Sequence, residues 1–392
     1  MSTPSDVAQD RAQSLKGTFS DDFAAVTDEL QAQLDSGNER GASLVINVDG
    51  ENVVDVWGGF ADTECTRPWE SDTIANVWST TKTVTYLSML MLADRGLIDF
   101  DTPVATYWPE FAQNGKEAIT VGQVMSHTSG VSGWDQPVTV EDLFDVDSAT
   151  ARLATQAPWW EPGTASGYHS INQGHLLGEV LRRVTGITLR DFVAQEIAGP
   201  LGADFQIGAA ESDWDRIAPL TYPLDNALDL VGLLGPDHLA TKTLAGPPLS
   251  GTDANRPEWR RTIIGAANGH GNARSVNKVL STITLGGTVD GVRLLSEEMI
   301  NKALTVQIDD VDQVLMTPVR RGLGYGLLTP ESAEGTPARD GIAYWGGWGG
   351  SIIVMDTERR TTFSYVMNKM GTVIFGNDRS LGYLKTFFEI TG

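Results

Sequence analysis

Strand-like patterns lie at both ends of the chain, and helical patterns fill the stretch between them. Apolar or alternating runs predict strands at residues 42–48, 52–57, 342–345, 351–355 and 361–367. The first two runs flank Asp49-Gly50, a dipeptide typical of tight hairpin turns. Periodic apolar residues predict helices at 21–36 and at about 377–390. Because packed layers bury their apolar faces against each other, we expect an α+β fold. Both ends of the chain then build one antiparallel sheet, flanked by the N- and C-terminal helices.

This expected sheet divides the chain into two parts. Residues 1–104 and 301–392 are expected to form an α/β domain that contains the antiparallel sheet, and residues 105–300 a mainly helical domain with lid-like loops. Residues 178–186 predict a helix that is closed by Gly186. Residues 221–262 are rich in loop-forming residues and hold many prolines, which indicates a wall or lid over a site.

Composition argues against several classes of function. The 392 residues carry a formal net charge of −23, which disfavours nucleic acids and anionic membranes as partners. The single cysteine, Cys65, allows no intrachain disulfide bond. The first residues lack a leader pattern, and no run of about 18 apolar residues occurs, so we expect a cytoplasmic protein without a membrane span. The five histidines lack metal-ligand spacing, and we expect neither a metal nor an organic cofactor.

A serine and a lysine stand three residues apart at Ser79-Thr80-Thr81-Lys82, where a helix is predicted to begin. Positions i and i+3 lie on one face of a helix, so the lysine amine can reach the serine oxygen. A hydroxyl next to a basic group is the minimum that nucleophilic acyl transfer requires. The largely apolar residues that follow, 83–92, predict that this helix is buried.

The same spacing recurs at Ser275-Val276-Asn277-Lys278. This second match opens an ordinary amphipathic pattern, for which the simpler interpretation is an N-cap serine and a solvated lysine. The spacing alone therefore does not identify a catalytic serine.

Four further segments follow Ser79 in the chain. They are residues 120–130 (TVGQVMSHTSG), residues 161–186 from Glu161-Pro162-Gly163-Thr164 past Tyr168, residues 267–271 (ANGHG) and residues 345–351 (WGGWGGS). With Ser79 and Lys82 they resemble, in order and spacing, the serine β-lactamase-like superfamily, in the branch of class C β-lactamases and family VIII carboxylesterases. The resemblance covers most of the chain from about residue 40. It implies a β-lactamase/transpeptidase-like fold.

The resemblance implies roles for individual residues. Ser79 corresponds to the nucleophile that becomes acylated, and Lys82 to the lysine that helps to deprotonate it. Tyr168 corresponds to the tyrosine that relays a proton between the serine and the leaving group. The backbone N–H groups of Ser79 and Trp348 correspond to the oxyanion hole.

The sequence departs from the family pattern at two places. Where many β-lactamases have Tyr-x-Asn, this chain has Tyr168-His169-Ser170, and where they have Lys-Thr-Gly it has Trp345-Gly346-Gly347. The resemblance implies that Trp345, Gly346, Gly347 and His169 bind substrate. Loss of the lysine removes a cation that would hold a substrate carboxylate, which favours a neutral ester.

We therefore expect a serine hydrolase that cleaves short-chain carboxylic esters, with a small-molecule ester as its partner. A β-lactamase or a D-amino-acid peptidase or amidase is the alternative, and Arg320 or Arg321 is then a candidate for the missing cation. A catalytically silent binding or scaffold protein of the same fold is a further alternative. No nucleophile elbow of the Gly-x-Ser-x-Gly type is present, which disfavours an α/β-hydrolase. The sequence does not determine the oligomeric state.

Overall fold

A nine-stranded antiparallel sheet forms the centre of the molecule. The computed structural model describes residues 14–223, 229–329, 337, 340–374 and 376–392. The strands of the large sheet lie in the order β1-β3-β2-β14-β13-β12-β11-β10-β9, and two small sheets have the orders β4-β6-β5 and β7-β8. The strands are β1 Lys16–Phe19, β2 Gly41–Val48, β3 Glu51–Gly59, β4 Ala75–Asn76, β5 Gln206–Ile207, β6 Gly269–Gly271, β7 Thr288–Val289, β8 Val292–Arg293, β9 Ile308–Val311, β10 Pro318–Arg321, β11 Gly326–Leu327, β12 Ile342–Gly346, β13 Ile352–Asp356 and β14 Thr361–Met367.

The two ends of the chain meet at the middle of this sheet. Strand β2 from the N-terminal hairpin pairs with β14, and Ile46 lies opposite Phe363. Both strands are almost entirely buried. The prediction that both termini build one antiparallel sheet is confirmed.

The other regular elements of the described structure are helices and helical turns. The α-helices are α1 Ala24–Asp35, α2 Thr81–Asp94, α3 Val104–Tyr107, α4 Val121–Met125, α5 Val146–Thr155, α6 Gln173–Thr185, α7 Leu189–Phe192, α8 Gly199–Leu201, α9 Leu230–Leu234, α10 Leu239–Leu244, α11 Pro257–Arg261, α12 Ala273–Thr284, α13 Glu297–Leu304 and α14 Asp378–Thr391. Residues Val193–Ala198 form a π-helical turn, and 3-10 turns lie at Asp21–Phe23, Pro109–Phe111, Glu141–Phe144, Glu211–Arg216 and Gly251–Asn255. None of the helices in the described ranges is long and apolar enough to cross a membrane.

Helices cover both faces of the sheet. Successive side chains of a strand point to opposite faces. Phe363 and Tyr365 face the C-terminal helix α14, where their rings lie 5.3 and 5.2 Å from those of Phe387 and Tyr383. Ser364, on the other face, donates a 2.8 Å hydrogen bond to the carbonyl of Ala273 in α12.

Helix α12 is tied to the sheet by polar contacts as well. The Asn277 side chain donates to the carbonyl oxygens of Val45 and Thr362, at 3.2 and 2.8 Å. This helix lies inside the range 105–300 that was expected to form a separate helical domain. The division of the chain at residue 300 stays a prediction, but the packing of α12 associates it with the sheet.

The second serine–lysine pair takes a structural place at the start of α12. The N-cap is Asn272 and not Ser275, because the Asn272 side chain accepts the N–H of Ser275 at 3.0 Å. The Ser275 hydroxyl accepts from the N–H of Asn272 and completes a capping box. Lys278 forms a partly exposed ion pair with Asp290 at 2.9 Å. Ser275 was expected to be the N-cap, but it lies three residues after the N-cap. The expectation of a solvated lysine agrees with the partly exposed ion pair of Lys278.

The segment expected to form a lid contains more helix than its sequence indicates. Its described residues include α9, α10, α11 and the 3-10 turn Gly251–Asn255, and residues 224–228 lie outside the described ranges. Its α10 contacts the loop after residue 128 through a 2.8 Å hydrogen bond between the hydroxyls of Thr243 and Ser132. Short helical turns satisfy the backbone groups that an irregular loop would leave exposed.

Candidate active site

The start of α2 is held in place by the small sheet beside it. The N–H of Val77 donates to the carbonyl of Gly269 at 2.9 Å, and the N–H of Gly269 donates to the Thr81 hydroxyl at 2.7 Å. Trp78 has φ = 46°, a left-handed conformation that a bulky residue rarely adopts. Such strain persists only where the surroundings enforce it, and it is common at functional sites. It fixes the direction in which the next residue, Ser79, leaves the strand.

The turn after β12 packs directly against this segment. The Ser351 hydroxyl donates to the carbonyl of Val77 at 2.9 Å and lies 3.0 Å from the hydroxyl of Thr80. A Cβ atom on Gly347 would lie 2.2 Å from the oxygen of Val77, so this approach requires glycine. The two segments that carry Ser79 and Trp348 are therefore adjacent.

The hydroxyl of Ser79 lies between Lys82 and Tyr168. The Lys82 Nζ is 3.1 Å from Ser79 Oγ, and the Tyr168 hydroxyl donates to the same oxygen at 2.7 Å. Lys82 Nζ also donates to the carbonyl oxygens of Ser170 and Ala266, at 2.5 and 2.9 Å. The structure thus brings together the three residues that the sequence singled out.

The environment of Lys82 disfavours its charged form. Burial, and in second place the positive charge of Arg321, holds the pKa of the Lys82 amine well below its usual value. A lysine with a lowered pKa can act as a base near neutral pH. The geometry therefore places a basic amine on the hydroxyl of Ser79.

Tyr168 is held in its protonated form. Burial raises the pKa of the Tyr168 hydroxyl far above its usual value, although the hydrogen bond to Ser79 and the charge of Arg321 oppose the change. The site therefore does not stabilise a phenolate. A phenolate would need a nearby charge such as that of Lys82 to lower the pKa of Tyr168, and this pKa is raised instead. Tyr168 is therefore a hydrogen-bond donor and an acid in the resting site, and not its base.

His169 occupies a structural position. Its side chain is fully buried, Nδ1 lies 2.6 Å from the carbonyl of Gly167, and Nε2 lies 2.6 Å from the Ser129 hydroxyl. Burial lowers the pKa of His169 to about 4, so the ring is neutral. Both nitrogens already have partners, which favours a structural role, and the expected contact of His169 with substrate stays a prediction.

Trp345 also faces the interior. It is 3% exposed, and its ring stacks on that of His127 with centroids 5.5 Å apart and planes 9° from parallel. It contacts the ring of Tyr86 edge-on at 5.7 Å. This environment favours packing over the predicted contact with substrate. Gly346 is the last residue of β12 and Gly347 follows it beside the Ser79 segment, and their expected contact with substrate stays a prediction.

Neither arginine considered as a cation for an anionic substrate is available. Arg321 is 2% exposed and pairs with the fully buried Asp312 at 2.7 Å. Arg320 pairs at the surface with Asp309 at 2.9 Å. The replacement of the family lysine by Trp345 is therefore not compensated by either residue.

Two backbone donors remain for a substrate oxygen. Among residues 14–223 and 340–374, the N–H groups of Ser79 and Trp348 make no hydrogen bond. The ring of Trp348 lies 5.0 Å from that of Trp78, next to Ser79. The assignment of these two N–H groups to an oxyanion hole stays a prediction.

The supporting residues of the site were not found from the sequence. Asp312 accepts the N–H of Tyr168 at 3.0 Å, and the Tyr86 hydroxyl donates to Gln173 at 2.7 Å beside His127. Asp312 follows a polar stretch, and no spacing distinguishes it from its acidic neighbours. In the part of the chain that the structure describes, no group of three or more His, Cys, Asp or Glu side chains is arranged to hold a metal ion.

Comparison with known proteins places these features in one context. A family model described as Beta-lactamase matches residues 26–383. Esterase/beta-lactamase LipL of Mycobacterium tuberculosis is 34% identical over 360 residues, which cover 89% of this chain and 81% of LipL. Esterase EstB of Burkholderia gladioli is 28% identical over 357 residues, which cover 84% of this chain and 87% of EstB. The crystal structure of a family VIII carboxylesterase superposes on this chain with a TM-score of 0.88 and 38% sequence identity. The match covers 96% of this chain and 100% of the carboxylesterase chain.

Proposed function

The chain belongs to the beta-lactamase family, and from that membership we propose that it hydrolyses short-chain carboxylic esters through an acyl-enzyme on Ser79. The observation that carries the proposal is the convergence of Lys82 and Tyr168 on the Ser79 oxygen, at 3.1 and 2.7 Å. The esterase names of LipL and EstB, and the family VIII carboxylesterase structure, support an ester as the substrate.

Lys82 acts as the base that activates Ser79. A neutral amine has two N–H donors and one lone pair. The carbonyl oxygens of Ser170 and Ala266 take the two donors, which leaves the lone pair for the hydroxyl of Ser79. Ser79 gives its proton to Lys82 as Oγ forms a bond to the ester carbon, and the carbonyl oxygen becomes an oxyanion.

The oxyanion is stabilised by backbone donors. The N–H groups of Ser79 and Trp348 supply two hydrogen bonds that are fully used only when the negative charge has developed. Because these N–H groups belong to packed segments, they need no reorganisation during the reaction.

Tyr168 supplies the proton that the leaving group needs. When the tetrahedral intermediate collapses, the carbon–oxygen bond to the alcohol breaks, and the alkoxide takes the proton of the Tyr168 hydroxyl. The Lys82 ammonium then returns the proton of Ser79 to Tyr168. Water hydrolyses the acyl-enzyme with the same pair acting as base, and Ser79 is released.

The surroundings favour a neutral substrate. The position of the family lysine holds buried Trp345, and Arg321 is buried in an ion pair with Asp312. The partly buried rings of Trp348 and Tyr222 lie 5.0 Å apart and offer an apolar surface beside the oxyanion donors. Such a surface suits a neutral acyl group better than a carboxylate.

The test of this function is an initial-rate panel on the purified protein. It compares p-nitrophenyl acetate, butyrate and octanoate with nitrocefin and a D-Ala-D-Ala peptide, each also with the Ser79→Ala variant. We expect turnover of the short esters that depends on Ser79, and slow or no opening of nitrocefin. Ester turnover that Ser79→Ala retains in full would refute the proposal.

A β-lactamase or a D-amino-acid peptidase or amidase is the second candidate. It is supported by the double name of LipL, which includes beta-lactamase. Fast hydrolysis of nitrocefin would make it the leading function, since the same Ser79, Lys82 and Tyr168 serve both reactions. Turnover of the peptide would favour the peptidase, which needs stronger protonation of its leaving amine.

Replacement of Tyr168 by phenylalanine is expected to lower kcat for ethyl butyrate, whose leaving alkoxide must be protonated, by about 100- to 1,000-fold. The change removes one hydroxyl and leaves the ring, so the melting temperature should change little. Tyr325→Phe is the matched control, because the buried Tyr325 hydroxyl donates only to the carbonyl of Thr83 at 3.2 Å. Near wild-type kcat for Tyr168→Phe would remove this residue from the mechanism.

A further inference from the structure

A buried ion pair lies directly behind Tyr168. Arg321 on β10 and Asp312 in the turn after β9 are 2% and 0% exposed, and the Arg321 guanidinium donates to the Asp312 carboxylate at 2.7 Å. The Ser166 hydroxyl bridges them, because it accepts from Arg321 at 2.5 Å and donates to Asp312 at 2.7 Å. The pair thus reaches the loop that carries Tyr168.

The other carboxylate oxygen of Asp312 holds backbone groups. It accepts the N–H of Tyr168 at 3.0 Å and the N–H groups of Val314 and Leu315 at 2.9 Å. Burial opposes the charged form, but Arg321 and these hydrogen bonds hold the pKa of the Asp312 carboxyl below its usual range. Asp312 is therefore an ionised anchor to which the backbone of Tyr168 is bonded.

Stability alone explains such a pair poorly. Burying two charges costs several kcal/mol, and well-packed apolar residues in the same place are often equally stable or more stable. One hydrogen bond of this pair holds the backbone of Tyr168, the residue whose hydroxyl reaches Ser79. A misplacement of about 1 Å in a catalytic group can cost about 100-fold in rate.

We propose that Asp312 and Arg321 are a positioning pair for acyl transfer, which fixes Tyr168 against Ser79. The proposal rests on the function proposed above for Ser79, Lys82 and Tyr168. In this role the pair acts through Tyr168, and neither residue touches the substrate.

Arg321 is the group near Lys82 that keeps its positive charge throughout the working pH range. The titratable and charged groups around Lys82 and its neighbour Tyr168 include Tyr86, His127, His169, Asp312 and Arg321. Burial lowers the pKa of both His127 and His169, so these rings are neutral, and both tyrosines remain protonated. Arg321 therefore disfavours protonation of Lys82 at any working pH, while Asp312 offsets part of its effect.

The experiment uses four variants of the full chain. Asp312→Asn weakens the anchor of Tyr168, Arg321→Met removes the charge, Arg321→Lys retains it, and Asp312→Leu with Arg321→Met removes both charges together. Arg320→Met is the matched control, because Arg320 is the adjacent residue of the same strand and pairs with Asp309 at the surface. The readouts are melting temperature, kcat and KM for p-nitrophenyl butyrate, the pH profile of kcat/KM, and the rate of covalent labelling by a fluorophosphonate.

We expect Asp312→Asn and the double variant to lose about 100-fold in kcat and in labelling rate, with KM changed by less than about threefold. In Arg321→Met, the acid limb of the pH profile moves to higher pH, because Lys82 protonates more easily, and Arg321→Lys restores most of the shift. Arg320→Met keeps both readouts within about twofold.

A folded double variant with wild-type kcat and an unmoved acid limb would overturn the proposal. If the single variants fail to fold, the double variant decides, since it leaves no unpaired buried charge. The labelling rate separates this proposal from the function itself. If the wild type labels at Ser79 but cleaves no ester, the ester assignment fails, while slower labelling of the variants still supports the positioning pair.

Discussion

Replacement of Ser79 by alanine is expected to lower kcat for p-nitrophenyl acetate by about 10⁵-fold, to the background of the folded protein without its nucleophile. Ser79 Oγ is the atom on which Lys82 and Tyr168 converge, at 3.1 and 2.7 Å, and no other hydroxyl of the described residues receives both. The melting temperature should be nearly unchanged, because alanine fits the space of serine.

The chain supplies its own control for this substitution. Ser275 stands at the same spacing from Lys278, but its hydroxyl is bonded to the backbone N–H and carbonyl of Asn272. Ser275→Ala is expected to cost about 1 kcal/mol of stability and to retain kcat. Equal loss of activity in both variants would mean that the effect of Ser79→Ala is not specific.

Replacement of Lys82 by methionine is expected to lower kcat by about 10³- to 10⁴-fold, because the hydroxyl of Ser79 loses its base. The wild-type rate falls as the pH falls through the lowered pKa of Lys82 and the amine becomes charged. The variant should show a flat profile over that limb. The measurement is kcat/KM against pH for both proteins, with Lys278→Met as the control. A variant that keeps the acid limb would assign that limb to another group.

The same lysine predicts a pH-dependent difference in stability. Because its pKa is lower in the folded than in the unfolded protein, the unfolded state binds more protons at neutral pH, and stability rises with pH in this range. The methionine variant lacks this proton uptake. The melting temperature of the wild type relative to Lys82→Met should therefore rise from pH 7 to pH 10, and a constant difference would contradict the lowered pKa.

The sequence was sufficient for the sheet because its strands are buried on both sides. The runs at 42–48 and 361–367 are rich in apolar, β-branched and aromatic residues, and such short runs predict strands whatever their partners are. The strands at both ends of the chain predicted one shared sheet, but the pairing of β2 with β14 is known only from the structure. The helical turns inside 221–262 were not predicted, because prolines and glycines mask elements of five or six residues.

Ser79 and Lys82 were predictable because a helix fixes the distance between positions i and i+3. Tyr168 is 89 residues from Ser79 along the chain, and only the resemblance to a family pointed to it. The positioning role proposed for Asp312 and Arg321 was not predicted from the sequence, because it depends on a contact that joins β9, β10 and the loop of Tyr168. No local pattern contains that information.

The burial of His169 and Trp345 was also beyond the sequence. His169 follows Tyr168, and Trp345 stands in the position of the family lysine, so both were expected to bind substrate. The structure turns them inward, where Ser129 bonds to His169 and His127 stacks on Trp345. Adjacent residues of an extended segment point in opposite directions, so a neighbour of a site residue often belongs to the core.

The most direct test of the central claim is to identify the nucleophilic residue. The purified protein is incubated with a fluorophosphonate, its intact mass is measured, and the modified residue is located by peptide mapping. We predict one adduct per chain, on Ser79, with none on Ser275 and none in the Ser79→Ala variant. An adduct on another residue, or ester turnover in a protein that no fluorophosphonate modifies, would contradict the account.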